Sequence, residues 1–204
     1  ALEAVYTRLR NHGVNVLDLT DRFIRDRFHP EGPLYCRQDS HWSGTGCVVA
    51  ADAIAEVVSQ RPWAGLLESP SVEPRWYATA IRGELGRQVN AGSSSPEEVR
   101  LRGIVQVTER GIAPVEPNAD SPVLLIGDSH TRIFHAGGAY HARGAGLVDQ
   151  LAFTLGAPVS LAEAEATITA ESNPLVLSQR TLPPLNGKRL VIWCFAAQWL
   201  LARG

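Results

Sequence analysis

Residues 123–135 read VLLIGDSHTRIFH, an apolar strand that meets its first polar residue at Asp128. Gly127 lets the backbone turn tightly, and Ser129 falls just past the strand's end. In open α/β sheets that carboxyl edge is where ligands bind. A serine placed there can attack a carbonyl, while N–H groups at the start of a following helix hold the developing oxyanion. The plainer alternative is that Asp128 or Ser129 only caps that helix.

Outward from this stretch the elements alternate. Residues 1–12 suit a helix closed by Gly13 at the left-handed C′ position. VNVLDL (14–19) reads as a short strand, and Thr20 or Asp21 can cap a helix through Phe28. Residues 34–37 extend into QDSHW, and Ser43 caps SGTGCVVAADAIAEVVSQ, with Val48, Ala51, Ile54, Ala55 and Val58 on one face. The region 61–100 is the least regular. Pro62, Pro70, Pro74 and Pro96 mark loops there, and WYATAIRGELGRQV holds a short helix. LRGIVQV (101–107) alternates like a strand, and GIAPVEPNADSP reads as a loop. Further on come the helix GAGLVDQLAFTLG, the short strand PVSL, the helical AEAEATITAES, the buried strand within LNGKRLVIWCF, and a short AAQWLLAR helix. This alternation predicts a three-layer α/β architecture, a mainly parallel sheet flanked by helices, in one domain over residues 1–204.

The 204 residues are 45% hydrophobic and 20% charged, with a formal net charge of -2 and no block of like charge. A nucleic-acid or anionic-membrane surface would need clustered Lys and Arg. No apolar run approaches the roughly 20 residues that span a bilayer. The chain opens directly in an amphipathic helix without Met, as an excised or processed portion would. Nucleotide-binding glycine patterns are absent, and the histidines and cysteines lack metal-ligand spacing, so neither cofactor nor metal is expected.

A serine nucleophile needs a base, and the base needs orienting. In QDSHW, an extended backbone turns Asp39 and His41 to the same side. Asp39 could then accept from one His41 nitrogen while the other faces a serine. Taken alone, the pair reads more readily as a capping Asp and a surface or satisfied His.

Asp39-Ser40-His41-Trp42 upstream of Gly127-Asp128-Ser129 resembles the paired signatures of the SGNH-hydrolase-like alginate O-acetyltransferases and their polysaccharide-acetylating relatives. In ordinary SGNH esterases the Asp-His block follows the serine. The resemblance implies an SGNH-hydrolase-like fold in which Ser129 accepts the acyl group, His41 is its general base and acid, and Asp39 orients His41. It further implies a carbohydrate acceptor, an acyl donor that a membrane partner could deliver, and a periplasmic or exported location. KRLVIWCFAAQWL is similar to the family's late strand-helix block, although Ala197-Gln198 stands where a Glu-Arg pair is frequent. The family's first strand and helix are absent or cut.

Remaining candidates have weaker claims. Gly83 and Asn173 are candidates for the oxyanion hole beside the Ser129 N–H, either of which could be a turn residue, and Gly127 is a further oxyanion or substrate-binding candidate. Trp42 is either a platform for a sugar ring or packing for the site loop. Arg132 either binds a sugar carboxylate or makes a surface ion pair. His130 reads as a helix-start residue pointing away from Ser129, and His135 and His141 as structural or exposed. Trp193 and Trp199 read as core and helix-packing residues. Of the three cysteines, Cys36 and Cys194 could form a disulfide in an oxidising compartment, and three buried thiols are at least as good a reading.

Overall fold

In a computed structural model of the chain, the described residues are 2–67, 71–89, 95–109, 111–162, 185–197 and 200. Helix α1 (Leu2–Asn11) ends at Gly13, whose φ of +79° supplies the left-handed residue that the sequence calls for. VNVLDL forms no strand; Val14 and Leu17 are half exposed and lead as irregular chain into α2 (Thr20–Arg25). The Asp18 side chain, rather than Thr20 or Asp21, accepts the Thr20 N–H there.

Helix α3 (Gly44–Val58) is the centre of the core. Its N-cap Ser43 accepts the Gly46 N–H through the side chain, and the helix buries all round rather than on one stripe. Gly44 and Gly46 make this fit possible: a Cβ at Gly44 would lie 2.5 Å from the Arg100 carbonyl, and one at Gly46 would lie 2.3 Å from the Leu34 carbonyl. Helix α5 (Leu147–Thr154) packs against α3. The core cluster they share includes fully buried Leu101, Phe134, Leu147 and Leu151. Burial of such side chains contributes about 1.5–3 kcal/mol each, which is what holds two helices and two sheets together.

The described strands divide between two sheets. Strands β1 (Val72–Ile81), β2 (Glu97–Thr108) and β3 (Gly111–Pro114) form an antiparallel meander in that order. Strands β4 (Val123–Gly127), β5 (Ser160–Leu161) and β6 (Leu190–Cys194) form a parallel sheet in the order β5-β4-β6. The expectation of a mainly parallel sheet is corrected accordingly: the α/β class holds, but half the strands are antiparallel. The short helix expected within WYATAIRGELGRQV is α4 (Glu84–Val89), and WYATAI before it belongs to β1. GIAP, expected as loop, is β3.

β4 is central, buried along its whole length, and paired in register with β6 from Val123↔Leu190 to Gly127↔Cys194. Its apolar composition follows from being buried on both faces. β6 is paired with β4 alone among the described residues, and Val191 and Trp193 are exposed at 43% and 47%. The expectation that Trp193 belongs to the core is therefore corrected. Trp199, Asn173 and the AEAEATITAES segment lie outside the described residues. Among the described residues, no helix is long and apolar enough to cross a membrane.

Candidate active site

Two structural devices bring the site together. The first is the edge where β4 ends. Asp128 follows Gly127, its N–H donates to the Cys194 carbonyl at 3.3 Å, and its carboxylate accepts the Ala196 N–H at 2.8 Å and the His130 N–H at 3.0 Å. Asp128 thus staples the turn carrying Ser129 to the chain leaving β6. Ser129–Thr131 then make only a single 3-10 turn, and the next α-helix begins at Leu147. The helix expected to follow the serine is reduced to that 3-10 turn.

The second device is the loop 34–43. Tyr35 and Trp42 form an antiparallel bridge, Cys36 N–H donates to the His41 carbonyl at 3.2 Å, and Ser43 N–H donates to the Leu34 carbonyl at 2.8 Å. The loop's far end is held from β2: the buried Glu97 carboxylate accepts the Arg37 N–H at 2.9 Å and the Gln38 N–H at 2.8 Å. Gly83 lies so close that a Cβ there would be 1.9 Å from the Gln38 carbonyl and 2.7 Å from the Asp39 Cβ. Gly83 therefore makes room for the Asp39 loop, which gives it a reason unrelated to an oxyanion hole. Ser40 donates to Glu84 at the start of α4.

These devices bring Asp39, His41 and Ser129 into one chain of hydrogen bonds. Ser129 Oγ lies 2.7 Å from His41 Nε2, and His41 Nδ1 lies 2.5 Å from Asp39 Oδ1. Since the carboxylate only accepts, Nδ1 carries the proton and Nε2 is free to accept from the serine hydroxyl. Asp39 Oδ1 also accepts the His41 N–H at 3.2 Å, and Oδ2 accepts from His141 Nε2 at 3.0 Å. Burial pushes the Asp39 carboxyl upward, but the hydrogen bonds from His41 and His141 outweigh it and hold the group well below the ordinary carboxylate range. Asp128, buried beside His130, is likewise lowered despite its burial.

The same shifts have a consequence for stability. A carboxyl whose folded pKa is depressed contributes stability above its unfolded pKa, and loses it as pH falls through the folded value. We expect urea midpoints to fall below about pH 5, the upper end of that window for a lowered Asp. The fall should be shallower in Asp39→Asn than in the unaltered chain. Urea titrations at several pH values check this.

Other candidates are placed differently from expectation. Trp42 is 5% exposed and packs edge-on against His130 at 5.3 Å and at a tilt against Phe23 at 6.4 Å, so it supports the loop and offers no face to a sugar. The Arg132 guanidinium lies over the Tyr140 ring at 4.8 Å. His130 does not point away: its ring centroid is 4.8 Å from that of His41. His135 is structural as expected, 3.0 Å from the buried Asp149 carboxylate that caps α5 through the Gly146 N–H. His141 is neither exposed nor idle, and nothing in its local sequence signals its contact with Asp39. Gly127 supplies space: a Cβ would meet Thr131 Cγ2 at 2.2 Å and the Cys194 carbonyl at 2.3 Å.

All three cysteines are free thiols, so of the two readings open in the sequence the Cys36–Cys194 disulfide is not formed. Burial pushes Cys36 and Cys194 up to about 12, so both remain protonated thiols near neutral pH. Among the described residues, Asp39, His41 and Glu84 have ligand atoms within 4.8 Å of one another. An ion there would have to displace the hydrogen bond between His41 and Asp39.

Residues 1–197 match the family described as SGNH hydrolase-like domain, acetyltransferase AlgX. The chain belongs to that family. Its fold is similar to the O-acetyltransferase domain of Pseudomonas putida AlgJ, at 18% identity and a TM-score of 0.63, covering 97% of this chain and 64% of that one. It is also similar to Pseudomonas aeruginosa AlgX, at 19% identity and a TM-score of 0.59, covering 95% of this chain and 42% of that one. The chain therefore spans less than two thirds of the length of these solved relatives. No curated protein matches it in sequence.

Proposed function

We propose that this AlgX-family domain transfers an O-acetyl group to a carbohydrate hydroxyl through an acyl-enzyme on Ser129. The observation that carries this reading is the unbroken run from Ser129 Oγ to His41 Nε2 and from His41 Nδ1 to Asp39, with distances of 2.7 and 2.5 Å. Membership of an acetyltransferase family, and the resemblance of the spaced Asp-Ser-His-Trp and Gly-Asp-Ser stretches, support the choice of an acetyl group and a polysaccharide acceptor.

In the first half-reaction His41 takes the Ser129 proton as the oxygen attacks the acetyl carbonyl of the donor. The tetrahedral oxyanion is held by the Ser129 N–H, and collapse expels the donor's leaving group with the proton from His41. In the second, His41 deprotonates a sugar hydroxyl, which attacks the acetyl-serine, and collapse expels the Ser129 oxygen with the proton from His41, restoring the free hydroxyl. Asp39 stabilises the imidazolium that forms in each half and keeps its tautomer correct. Water in place of the sugar gives an esterase, the alternative outcome of the same site. A periplasmic or exported location and a membrane partner that delivers the acyl donor belong to this reading as well.

The test is to incubate the purified chain with p-nitrophenyl acetate, follow nitrophenolate release, and search for an acetylated peptide by mass spectrometry. Acetyl on Ser129, absent in Ser129→Ala, is the expected result, and added oligosaccharide should accelerate its loss. An equal background rate in both proteins, with no acetyl peptide, would leave a carbohydrate-binding component of an acetylation assembly as the better reading.

A further inference from the structure

We propose that His141 is a positioning residue for the acyl transfer, holding the Asp39 carboxylate by the oxygen that His41 does not use. The proposal rests on the reading of Ser129, His41 and Asp39 as one working unit, and it adds a member that lies 102 residues from Asp39 in sequence.

The need for a second anchor comes from the carboxylate itself. The terminal torsion of an aspartate is broad and two-fold, so contacts to one oxygen alone leave the plane of the group poorly defined. Asp39 Oδ1 accepts both the ring and the backbone N–H of His41. Those two bonds fix where Oδ1 sits but leave rotation about it. The His141 Nε2–H on Oδ2 at 3.0 Å removes that freedom. It also satisfies an acceptor that would otherwise be bare, since Asp39 is 6% exposed. Because a carboxylate cannot donate, His141 must carry its proton on Nε2 for this bond to exist.

The backbone of His141 points the same way. It has φ +70° and ψ -56°, in a conformation that non-glycine residues rarely hold. The Ala142 N–H donates to the Tyr140 carbonyl at 2.9 Å, closing a three-residue γ-turn with His141 at its centre, the rare and strained form of that turn. Phe134 N–H donates to the same Tyr140 carbonyl at 2.9 Å, and Gly137 N–H donates to the Ala142 carbonyl at 2.8 Å, so the turn is over-determined by its surroundings. Strain of this kind persists where the fold enforces it, and it clusters at functional sites. Here it directs an imidazole at Asp39.

The segment that bears His141 also begins at the nucleophile. Arg132 N–H donates to the Ser129 carbonyl, and the Arg132 guanidinium covers the Tyr140 ring next to His141. One continuous stretch therefore carries Ser129 at its start and, twelve residues on, the group that holds Asp39. The distance between nucleophile and base is thereby fixed twice, once directly and once through His141 and Asp39.

The experiment compares His141→Ala, His141→Gln, Asp39→Ala, the Asp39→Ala/His141→Ala double variant and Ser129→Ala. Acylation of Ser129 by p-nitrophenyl acetate is followed in each, with thermal unfolding and circular dichroism as controls for folding. We expect His141→Ala to lower kcat by about 100-fold, the scale of a misplaced catalytic group, with KM little changed. His141→Gln, which keeps an N–H for Oδ2, should recover at least about tenfold of that loss, the recovery expected when placement is restored. In the Asp39→Ala background, removing His141 should cost nothing further. A His141→Ala rate within twofold of the unaltered chain, while Ser129→Ala is inactive, would overturn this inference and leave the acyl-enzyme reading standing. The same penalty with and without Asp39 would also overturn it, since His141 would then act on the fold. Full activity in Ser129→Ala would remove the acyl-enzyme reading and this proposal with it. If His141→Ala does not fold, the His141→Gln rate decides: no better than Asp39→Ala, it sinks the idea.

Discussion

Asp39→Asn should lower the rate of acetyl-ester turnover by about 10⁴-fold while leaving the fold intact, the magnitude expected when a triad aspartate becomes an amide. The reason is tautomeric. With Asp39 ionised, His41 Nδ1 must donate, which leaves Nε2 as the acceptor facing Ser129 Oγ at 2.7 Å. An amide can turn its NH₂ toward Nδ1, and the His41 proton then moves to Nε2, where it blocks proton transfer from the serine. The imidazolium formed during each half-reaction also loses its counter-charge. Ser129→Ala and His41→Ala should each cost at least as much, and combining them should cost little more, because the three side chains act as a unit. Single-turnover rates for the single and double variants check this. Additive losses would mean that the side chains act independently and that the hydrogen-bonded run is not the working unit.

How much of this was legible in sequence depends on the range of the interactions. Helix α3 and its Ser43 cap were readable because the cap, the apolar residues and the hydrogen bonds all lie within a few positions of one another. β4 was readable because a run buried on both faces carries no polar residue. Asp39 and His41 share one short loop, so their mutual bond was a local inference. Their meeting with Ser129 spans 88 residues and came from the resemblance in motif order.

The failures share a cause in tertiary context. β1 exposes most of both its faces, so WYATAI lacks the alternation that marks a half-buried strand, and Pro74 argued for a loop. VNVLDL has the composition of a strand but finds no partner to pair with among the described residues. Trp193 sits in an apolar run that is an edge strand of the described sheet, with every second residue outward. His141 had no signal at all, because its partner is 102 residues away and its unusual backbone is imposed by the bonds around Tyr140 and Ala142. The helix expected after Ser129 shows the opposite error, since a local pattern was extended too far. The chain there makes one 3-10 turn and then spends the next fifteen residues building the His141 loop before α5 begins.

Gly127→Ala should damage stability and activity together. The glycine does not need an unusual backbone there; it needs the absence of a side chain. A Cβ would lie 2.2 Å from Thr131 Cγ2 and 2.3 Å from the Cys194 carbonyl, both closer than real Cβ contacts occur. Neither neighbour can easily retreat. Thr131 is 1% exposed and tied through its hydroxyl to the Asp128 carbonyl at 2.8 Å, and the Cys194 carbonyl accepts the Asp128 N–H. The added methyl must therefore push β6 from β4 or lift the turn that carries Ser129. Overpacking of this kind costs about 1–3 kcal/mol. A shift of about 1 Å in Ser129 would cost about 100-fold in rate. Gly65→Ala is the control, since nothing lies within 4 Å of its Cβ position, and it should change stability by no more than about 0.5 kcal/mol. Adding Thr131→Ser to Gly127→Ala removes Cγ2 while keeping the hydroxyl, so it should restore part of both losses, with the clash against the Cys194 carbonyl accounting for the remainder. Urea unfolding and acylation rates on the four proteins decide the matter. If Gly127→Ala matches Gly65→Ala in both, the nucleophile turn tolerates a side chain at its base, and the link between close packing at this edge and the placing of Ser129 is lost.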